Sequence, residues 1–466
     1  MKFTRLAKKV GIYFIGNLST KLLSAVVVFI YAFYINAEDL GRYEYIQTLE
    51  NIIIPIAFIS IWEAILKYTL ATQNDKEKEK VINTSAIFSI VVSLLIAIVG
   101  TIYYSIFKKE QYAVYIILMY IFYGLSTVWQ YYARCLNKTK IYVQSSIIGA
   151  ATNLIITAIL ICILKLKIEA LFIANIFSNF MILSLIECKI KILRKVNIKQ
   201  FNLKLLKKML IFSVPLVIND ISLWLITGFG KTIIQNVLGA SANGMYAFAN
   251  KFTIIVNFLG LILNKALTEE MLVSKREKVG KQFEKIMQEL TEKVLVLLIL
   301  CIPIIMIFYN IISKTEYYQS KIYVPMLLIY SFIMLISTNL STIFKVAEKT
   351  KYQFFTTLAG AITTVSISYL MIGKLGTIGV ILGQISGSLV NVIFRYVLGK
   401  QLIELNIKWK KNIFILIIYS IVSLISVNVD WRLNSAIEIA IIIMVLVVYN
   451  RELKYIIKKL SFDRIR

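Results

Sequence analysis

Runs of about 20 or more mostly apolar residues, each closed by a short polar or charged turn, recur along the whole chain. Fourteen such runs occur, at roughly 10–35, 43–70, 81–107, 112–136, 141–164, 168–188, 209–238, 245–267, 294–313, 322–344, 352–373, 376–398, 413–429 and 432–450. Each is long enough to cross a bilayer as a helix, the last two being the shortest. The pattern predicts an all-α integral membrane protein with about 14 transmembrane helices. The first run is too long for a cleavable signal peptide and lacks a clear small-residue cleavage site, so it reads as a retained anchor.

Composition agrees. Hydrophobic residues make up 59% of the 466, and the mean hydropathy is +0.77. Soluble domains run about 45–50% apolar, which excludes an ordinary soluble enzyme. Histidine is absent, removing the usual general base and zinc ligand. Cys135, Cys162, Cys188 and Cys301 lie far apart, with no C-x-x-C pair.

The formal charge of +27 fits a nucleic-acid binder or a membrane protein with one basic face, and the placement of the charges separates the two. With the N-terminus cytoplasmic, both tails and the even-numbered loops hold 38 of the 52 Lys and Arg, and the odd-numbered loops hold nine. Basic residues at the very ends of spans are counted here with the adjoining loop. Lys21, Lys67, Lys231, Lys251 and Arg395 fall within spans. This alternation follows the positive-inside rule, places both termini in the cytoplasm and leaves no role for nucleic acid. The linker 189–208 carries eight basic residues and no acid, and 268–293 reads as an amphipathic, charged cytoplasmic helix. The outside loops are short, so no catalytic domain is expected there.

The two halves share sequence islands in one order. Asn36-Ala-Glu-Asp-Leu-Gly41-Arg-Tyr43 pairs with Gly239-Ala-Ser-Ala-Asn-Gly244-Met-Tyr246 at an offset of 203. Lys138-Thr139-Lys140 and Gly149-Ala150 return as Lys349-Thr350-Lys351 and Gly360-Ala361, and the segment from Ile168 returns at Ile378. The repeat predicts two six-helix bundles in the same orientation, related by an axis along the membrane normal. The expected division is an N-terminal bundle with its basic linker (1–200), a C-terminal bundle (201–400), and two extra helices with a basic tail (401–466).

The run Phe212-Ser-Val-Pro215-Leu, Trp224, Leu238-Gly239 and Gly244-Met-Tyr246-Ala resembles the opening of the second half of polysaccharide flippases. These belong to the multidrug/oligosaccharidyl-lipid/polysaccharide exporter superfamily. Asp39-Leu-Gly41-Arg-Tyr43 and the Lys-Thr-Lys turns agree with it, and the likeness spans nearly the whole chain. The resemblance implies a transporter rather than an enzyme. It implies movement of an undecaprenyl-diphosphate-linked oligosaccharide, an O-antigen, capsule or other envelope repeat unit, across the bacterial cytoplasmic membrane. A polysaccharide polymerase and a chain-length regulator are the partner proteins it suggests. Members often carry an acidic-basic pair midway along span seven, where this chain has Gly230-Lys231.

Ionisable residues inside spans are costly and mark candidate sites. Lys21 lies near the middle of span one and shares a face with Asn17 and Ser24. Span seven presents Asp220, Trp224, Thr227, Lys231 and Gln235 as one stripe, with Asp220 and Lys231 about 16 Å apart if the helix is continuous. Span eight carries Asn250, Thr253, Asn257, Gly260 and Asn264 on one face, with Lys251 beside them. Lys21, Lys231 and Lys251 are the candidates for a cationic cavity that receives a diphosphate. Asn17, Gln47, Asp220, Trp224, Asn250 and Asn257 are candidate polar lining. Glu44, Glu50, Glu63 and Asp220 are open between lysine counter-ion and proton- or sodium-coupling carboxylate. Amides in apolar helices also serve as interhelical hydrogen-bonding groups. Lys67 and Arg395, near span ends, are expected to snorkel.

Two motifs carry no such role. Gly228-Phe-Gly230-Lys231-Thr232 has the Gly-Lys-Thr of a phosphate loop, but Leu225 stands where its first glycine belongs and the segment lies in a span. Gly379, Gly383 and Gly387 form a small-residue stripe for close helix packing. No cofactor is implied beyond a coupling proton or sodium ion. A drug or cation exporter of the same superfamily, a membrane polysaccharide polymerase or glycosyltransferase, and an envelope scaffold stand as the other readings.

Overall fold

The computed structural model describes the chain apart from residues 1, 73, 255, 258–259, 261–275, 348, 406–408 and 449–466. The described residues are helical and contain no strand. Among the described residues, ten helices are long and apolar enough to cross a membrane, or up to 11 if one bent pair forms a single span. The helices divide between two compact units, Met1–Lys251 with Thr357–Gly387 and Phe252–Thr356 with Ser388–Arg466.

The first unit begins with α1 (Lys2–Tyr34), α2 (Ala37–Ala57), α3 (Ile61–Ala71), α4 (Asp75–Tyr103) and α5 (Ala113–Cys135). It continues with α6 (Thr139–Ala158), α7 (Ile168–Ile190), α8 (Leu203–Thr227), α9 (Phe229–Leu238) and α10 (Ala240–Asn250). Two of the expected spans are broken. Span two bends by 50° between α2 and α3, where Ile59 and Ser60 take positive φ values of 50° and 41°. Neither residue is a glycine, so nothing in the local sequence announces the turn. Span seven is interrupted at Gly228, and α9 restarts there with the Lys231 amide donating to the Gly228 carbonyl at 3.1 Å. The stripe from Asp220 to Gln235 is therefore not carried on one continuous helix.

The duplicated motifs meet face to face. A Cβ on Gly41 would lie 1.8 Å from the Ala240 carbonyl oxygen, and one on Gly244 would lie 1.8 Å from that of Ala37. These contacts are equivalent under the 203-residue offset, and the glycines let α2 and α10 touch backbone to backbone. Asn243 reinforces the crossing, its amide donating to the Gly41 carbonyl at 2.8 Å. Each of the paired tyrosines is bonded to one amide side chain, in opposite senses. Tyr43 accepts from the Asn175 amide at 3.1 Å, and Tyr246 donates to Gln384 Oε1 at 2.8 Å.

The later helices are α11 (Arg276–Ile311), α12 (Tyr323–Val346), α13 (Thr350–Leu375), α14 (Thr377–Lys400), α15 (Trp409–Asn428) and α16 (Trp431–Val448). The charged stretch expected at 268–293 is, from Arg276 onward, the first part of α11, continuous with the apolar run after it; 268–275 lies outside the described residues. The Gly379, Gly383 and Gly387 stripe packs α14 against α13. Added Cβ atoms there would meet the Met371 and Gly360 carbonyls at 2.5 Å and the Ser368 hydroxyl. In the second unit Arg395 is only 4% exposed and donates to the Ser337 carbonyl at 2.7 Å and the Thr356 hydroxyl at 3.2 Å. This corrects the expectation that it snorkels: internal oxygens, not interfacial water, receive the guanidinium. Lys67 is exposed, with its ammonium 3.7 Å from the centre of the Phe212 ring. The four cysteines are free thiols.

Gly41→Ala and Gly244→Ala should each lower stability by about 3 kcal/mol, the upper end of the overpacking range, because backbone rather than a flexible side chain must yield. Gly373→Ala, where nothing lies within 4 Å of an added Cβ, should leave it unchanged. Thermal unfolding of the purified protein in detergent measures all three.

Candidate functional site

Glu44 sits on α2 less than one turn past Gly41, so the close approach of α10 seals it from solvent; it is 1% exposed. Lys231 enters from the first turn of α9, just beyond the Gly228 interruption, and Lys251 directly follows α10. The Lys231 ammonium lies 2.5 Å from Glu44 Oε2, and that of Lys251 is bonded to Oε1. One carboxylate thus faces two ammonium groups, and the cluster carries a net positive charge. The lysine side chains are 16% and 30% exposed, so the buried acid is covered by two partly exposed cations. Lys251 also lies 6.0 Å from the centre of the Tyr31 ring.

Lys231 reaches into a cavity of about 690 Å³ within the first unit, which Asp220, Trp224, Asn250 and Glu63 also line. This volume is in the range of small-molecule and cofactor sites. Its walls are held by specific bonds. The Trp224 indole donates to the Thr48 carbonyl at 2.9 Å, tying α8 to α2. Asp220 accepts from the Ser60 hydroxyl at 2.9 Å, so the left-handed turn between α2 and α3 aims a donor at it. Glu63 accepts from the Tyr131 hydroxyl at 2.6 Å, and the Arg134 guanidinium stacks on the Tyr131 ring at 4.5 Å. Both acids keep oxygens available to a ligand.

The structure therefore gathers Lys231, Asp220, Trp224, Asn250 and Glu63 around one cavity and joins Glu44 and Lys251 to it through Lys231. The other candidates described in the first unit are not among the lining residues. Lys21 is half-buried on α1 and makes no ion pair among the described residues. Gln47 is half-buried on α2. Glu50 is 1% exposed, and its Oε1 has no hydrogen-bond partner among the described residues. Asn257 is exposed in the second unit, its amide donating to the Thr253 hydroxyl at 3.3 Å. The side chain of Asn17 and the whole of Asn264 lie outside the described residues. No group of three or more Cys, Asp or Glu side chains converges as a metal site among the described residues.

Sequence reasoning missed the aromatic wall. Trp62, Tyr123 and Tyr131 line the cavity with Thr127. Tyr123, Thr127 and Tyr131 recur every fourth residue along α5, a stripe readable in the sequence. With a cation, two acids, amide and hydroxyl donors and flat aromatic faces, the cavity can hold a polar, hydroxylated molecule bearing charge.

Residues 6–268 match the family described as polysaccharide biosynthesis protein. No curated protein matches the chain. Among solved structures, the lipid II flippase MurJ in an inward closed conformation matches at 14% identity and a TM-score of 0.67, over 94% of this chain and 99% of that one. An inward-facing multidrug resistance MATE family transporter of the MOP superfamily matches at 15% identity and 0.62, over 83% and 97%. A MOP superfamily transporter from Pyrococcus furiosus, described as having a binding pocket of reverse polarity, matches at 13% identity and 0.57, over 85% and 96%. At such identities the likeness establishes a shared fold.

Removing the carboxylate from the cluster leaves two ammonium groups facing each other. Glu44→Ala should cost about 3 kcal/mol, the lower end for breaking a buried pair because both lysines can turn toward solvent. Lys251→Ala leaves Glu44 with Lys231 and should cost no more than ~1 kcal/mol. Thermal unfolding of the two variants, compared with the parent, tests this order.

Proposed function

The chain belongs to the polysaccharide biosynthesis protein family, and from that premise we propose that it is a flippase for an undecaprenyl-diphosphate-linked oligosaccharide. On this reading it crosses the bacterial cytoplasmic membrane fourteen times, keeps both termini in the cytoplasm, and moves its cargo by alternating access between two six-helix bundles. The observation that carries the proposal is Lys231, held by Glu44 at the edge of a polar, aromatic-walled cavity. A diphosphate carries about two negative charges and cannot enter hydrocarbon bare without a prohibitive cost. The surplus positive charge of the Glu44–Lys231–Lys251 cluster supplies its counter-charge. Trp62, Tyr123, Tyr131 and Asn250 offer faces and donors for sugar rings. The polyprenyl tail stays in lipid. The product would pass to a polysaccharide polymerase with its chain-length regulator.

Coupling to a proton or sodium ion would use a buried carboxyl group, and Glu50, with an unpartnered carboxyl oxygen, is the one we assign to it. One observation favours a second reading. Asp220 and Glu63 give the cavity two acids as well as its lysine, as a cation exporter would require.

In cells whose own flippase is deleted, the wild-type chain should restore surface polysaccharide. Lys231→Ala should reduce it roughly tenfold, the loss of about one charge-assisted contact, at unchanged protein level. Normal export by this variant overturns the cationic-cavity reading. Drug resistance that is lost in Asp220→Asn and Glu63→Gln, without any polysaccharide phenotype, establishes the exporter instead.

A further inference from the structure

The basic linker between α7 and α8 is too firmly built for a simple tether. Glu187, near the end of α7, accepts from the main-chain amides of Ile192 at 3.2 Å and Leu193 at 2.9 Å, and from the Trp129 indole at 2.8 Å. Asn83 of α4 grips Asn197 in both directions: its amide donates to the Asn197 carbonyl at 2.7 Å, and its Oδ1 accepts from the Asn197 amide at 2.8 Å. Asn197 and Asn202 then cap the next turns, accepting from the amides of Lys199 and Leu205 at 3.0 and 2.8 Å. The linker's backbone is thus satisfied by side chains chosen for the purpose.

What this scaffold presents is amphipathic. Ile198 is 80% exposed, Leu203 69% and Leu193 49%, and they alternate with exposed Lys189, Lys191, Arg194, Lys199, Lys204 and Lys207. Beneath the linker lies a groove of about 960 Å³ with an apolar floor of Ile82, Leu136 and Ile190 and a rim that includes Arg194 and Lys199. The acids on that rim are Asp75 and Glu79; Asp75 is paired with Lys78 at 2.9 Å. Because α7 and α8, which the linker joins, are each long and apolar enough to cross a membrane, the linker is expected near the membrane surface, whichever side it occupies. A solvent-facing loop gains nothing from holding isoleucine and leucine outward, whereas apolar side chains ringed by cations fit a lipid surface.

We propose that the linker 189–208 and the groove beneath it form a binding site for an anionic phospholipid. The phosphate lies between Arg194 and Lys199, and Leu193, Ile198 and Leu203 enter the glycerol and upper acyl region. The connection between the two sequence repeats is thereby fastened to the membrane surface. The site is separate from the cavity, and its test does not depend on what the protein transports.

The full-length protein, purified in detergent and examined by native mass spectrometry, is titrated with phosphatidylglycerol or phosphatidylcholine. Phosphatidylglycerol should be retained roughly tenfold more strongly. Arg194→Ala/Lys199→Ala should bring its retention down by about 10- to 30-fold, as expected for two basic residues near a lipid surface, and Ile198→Ser should weaken it further. All three side chains are exposed, and a melting temperature equal to the parent's certifies the fold of each variant. If the double variant fails to fold, Lys199→Gln alone carries the comparison. Equal retention of the two lipids, or undiminished phosphatidylglycerol binding by the folded variants, overturns the proposal. So does stripping of the lipid by millimolar inorganic phosphate, which marks a free-anion site.

Discussion

The backbone contact between α2 and α10 governs the rest of the site. Two glycines, one from each copy of the repeated motif, bring main chain against main chain, and no side chain larger than hydrogen fits between them. Less than one turn further along, that closeness encloses Glu44, and an enclosed carboxylate has to find its counter-charge in protein. It finds two, from the start of α9 and the end of α10. The lysines are thus positioned by the acid, the acid by the helix crossing, and the crossing by glycine. The cavity opens beside this arrangement because α8 and α9 part at Gly228 and α2 and α3 part at Ser60, turning polar side chains inward that straight helices would spread along their length.

Much of this was legible in the sequence. Apolar runs long enough to span hydrocarbon mark where helices lie, since a bilayer forbids other lipid-facing backbone. The glycine and tyrosine positions of the two motifs stand out because their spacing repeats. Lys231, Asp220, Trp224, Asn250 and Glu63 are polar residues in stretches where burying one is costly, and they share one cavity. The partnership of Glu44 with two lysines was harder to see. Counter-ion was one of several roles open to it, and pairs 187 and 207 residues apart leave no local trace.

What the sequence withheld has physical causes. The turn at Ile59 and Ser60 has no glycine, and Pro55, the nearest helix-breaking residue, lies inside α2; the left-handed backbone there is imposed by packing. Arg395 resembled a snorkelling residue by its distance from the span end. It turns inward because Ser337 and Thr356 present oxygens to it, a feature of neighbouring helices rather than of its own. Tyr123 and Tyr131 belong to a chain with 27 tyrosines, so their periodicity was visible and their significance was not.

The crossing of α2 and α10 has one more property. Position 41 meets 240 as position 244 meets 37, so a single surface serves as its own partner, the logic of a two-fold dimer interface carried within one chain. In a true dimer every substitution appears twice, and an acid placed at the crossing would confront its own copy across the axis. Joined in one polypeptide, the two sides are free to differ. Glu44 has Ala247 as its counterpart in the second motif, so the first repeat contributes the only acid of the cluster and the second contributes both lysines. The duplicated frame is symmetric in its backbone and polar in its charge, and that polarity is available only to a protein in which the two copies are one molecule.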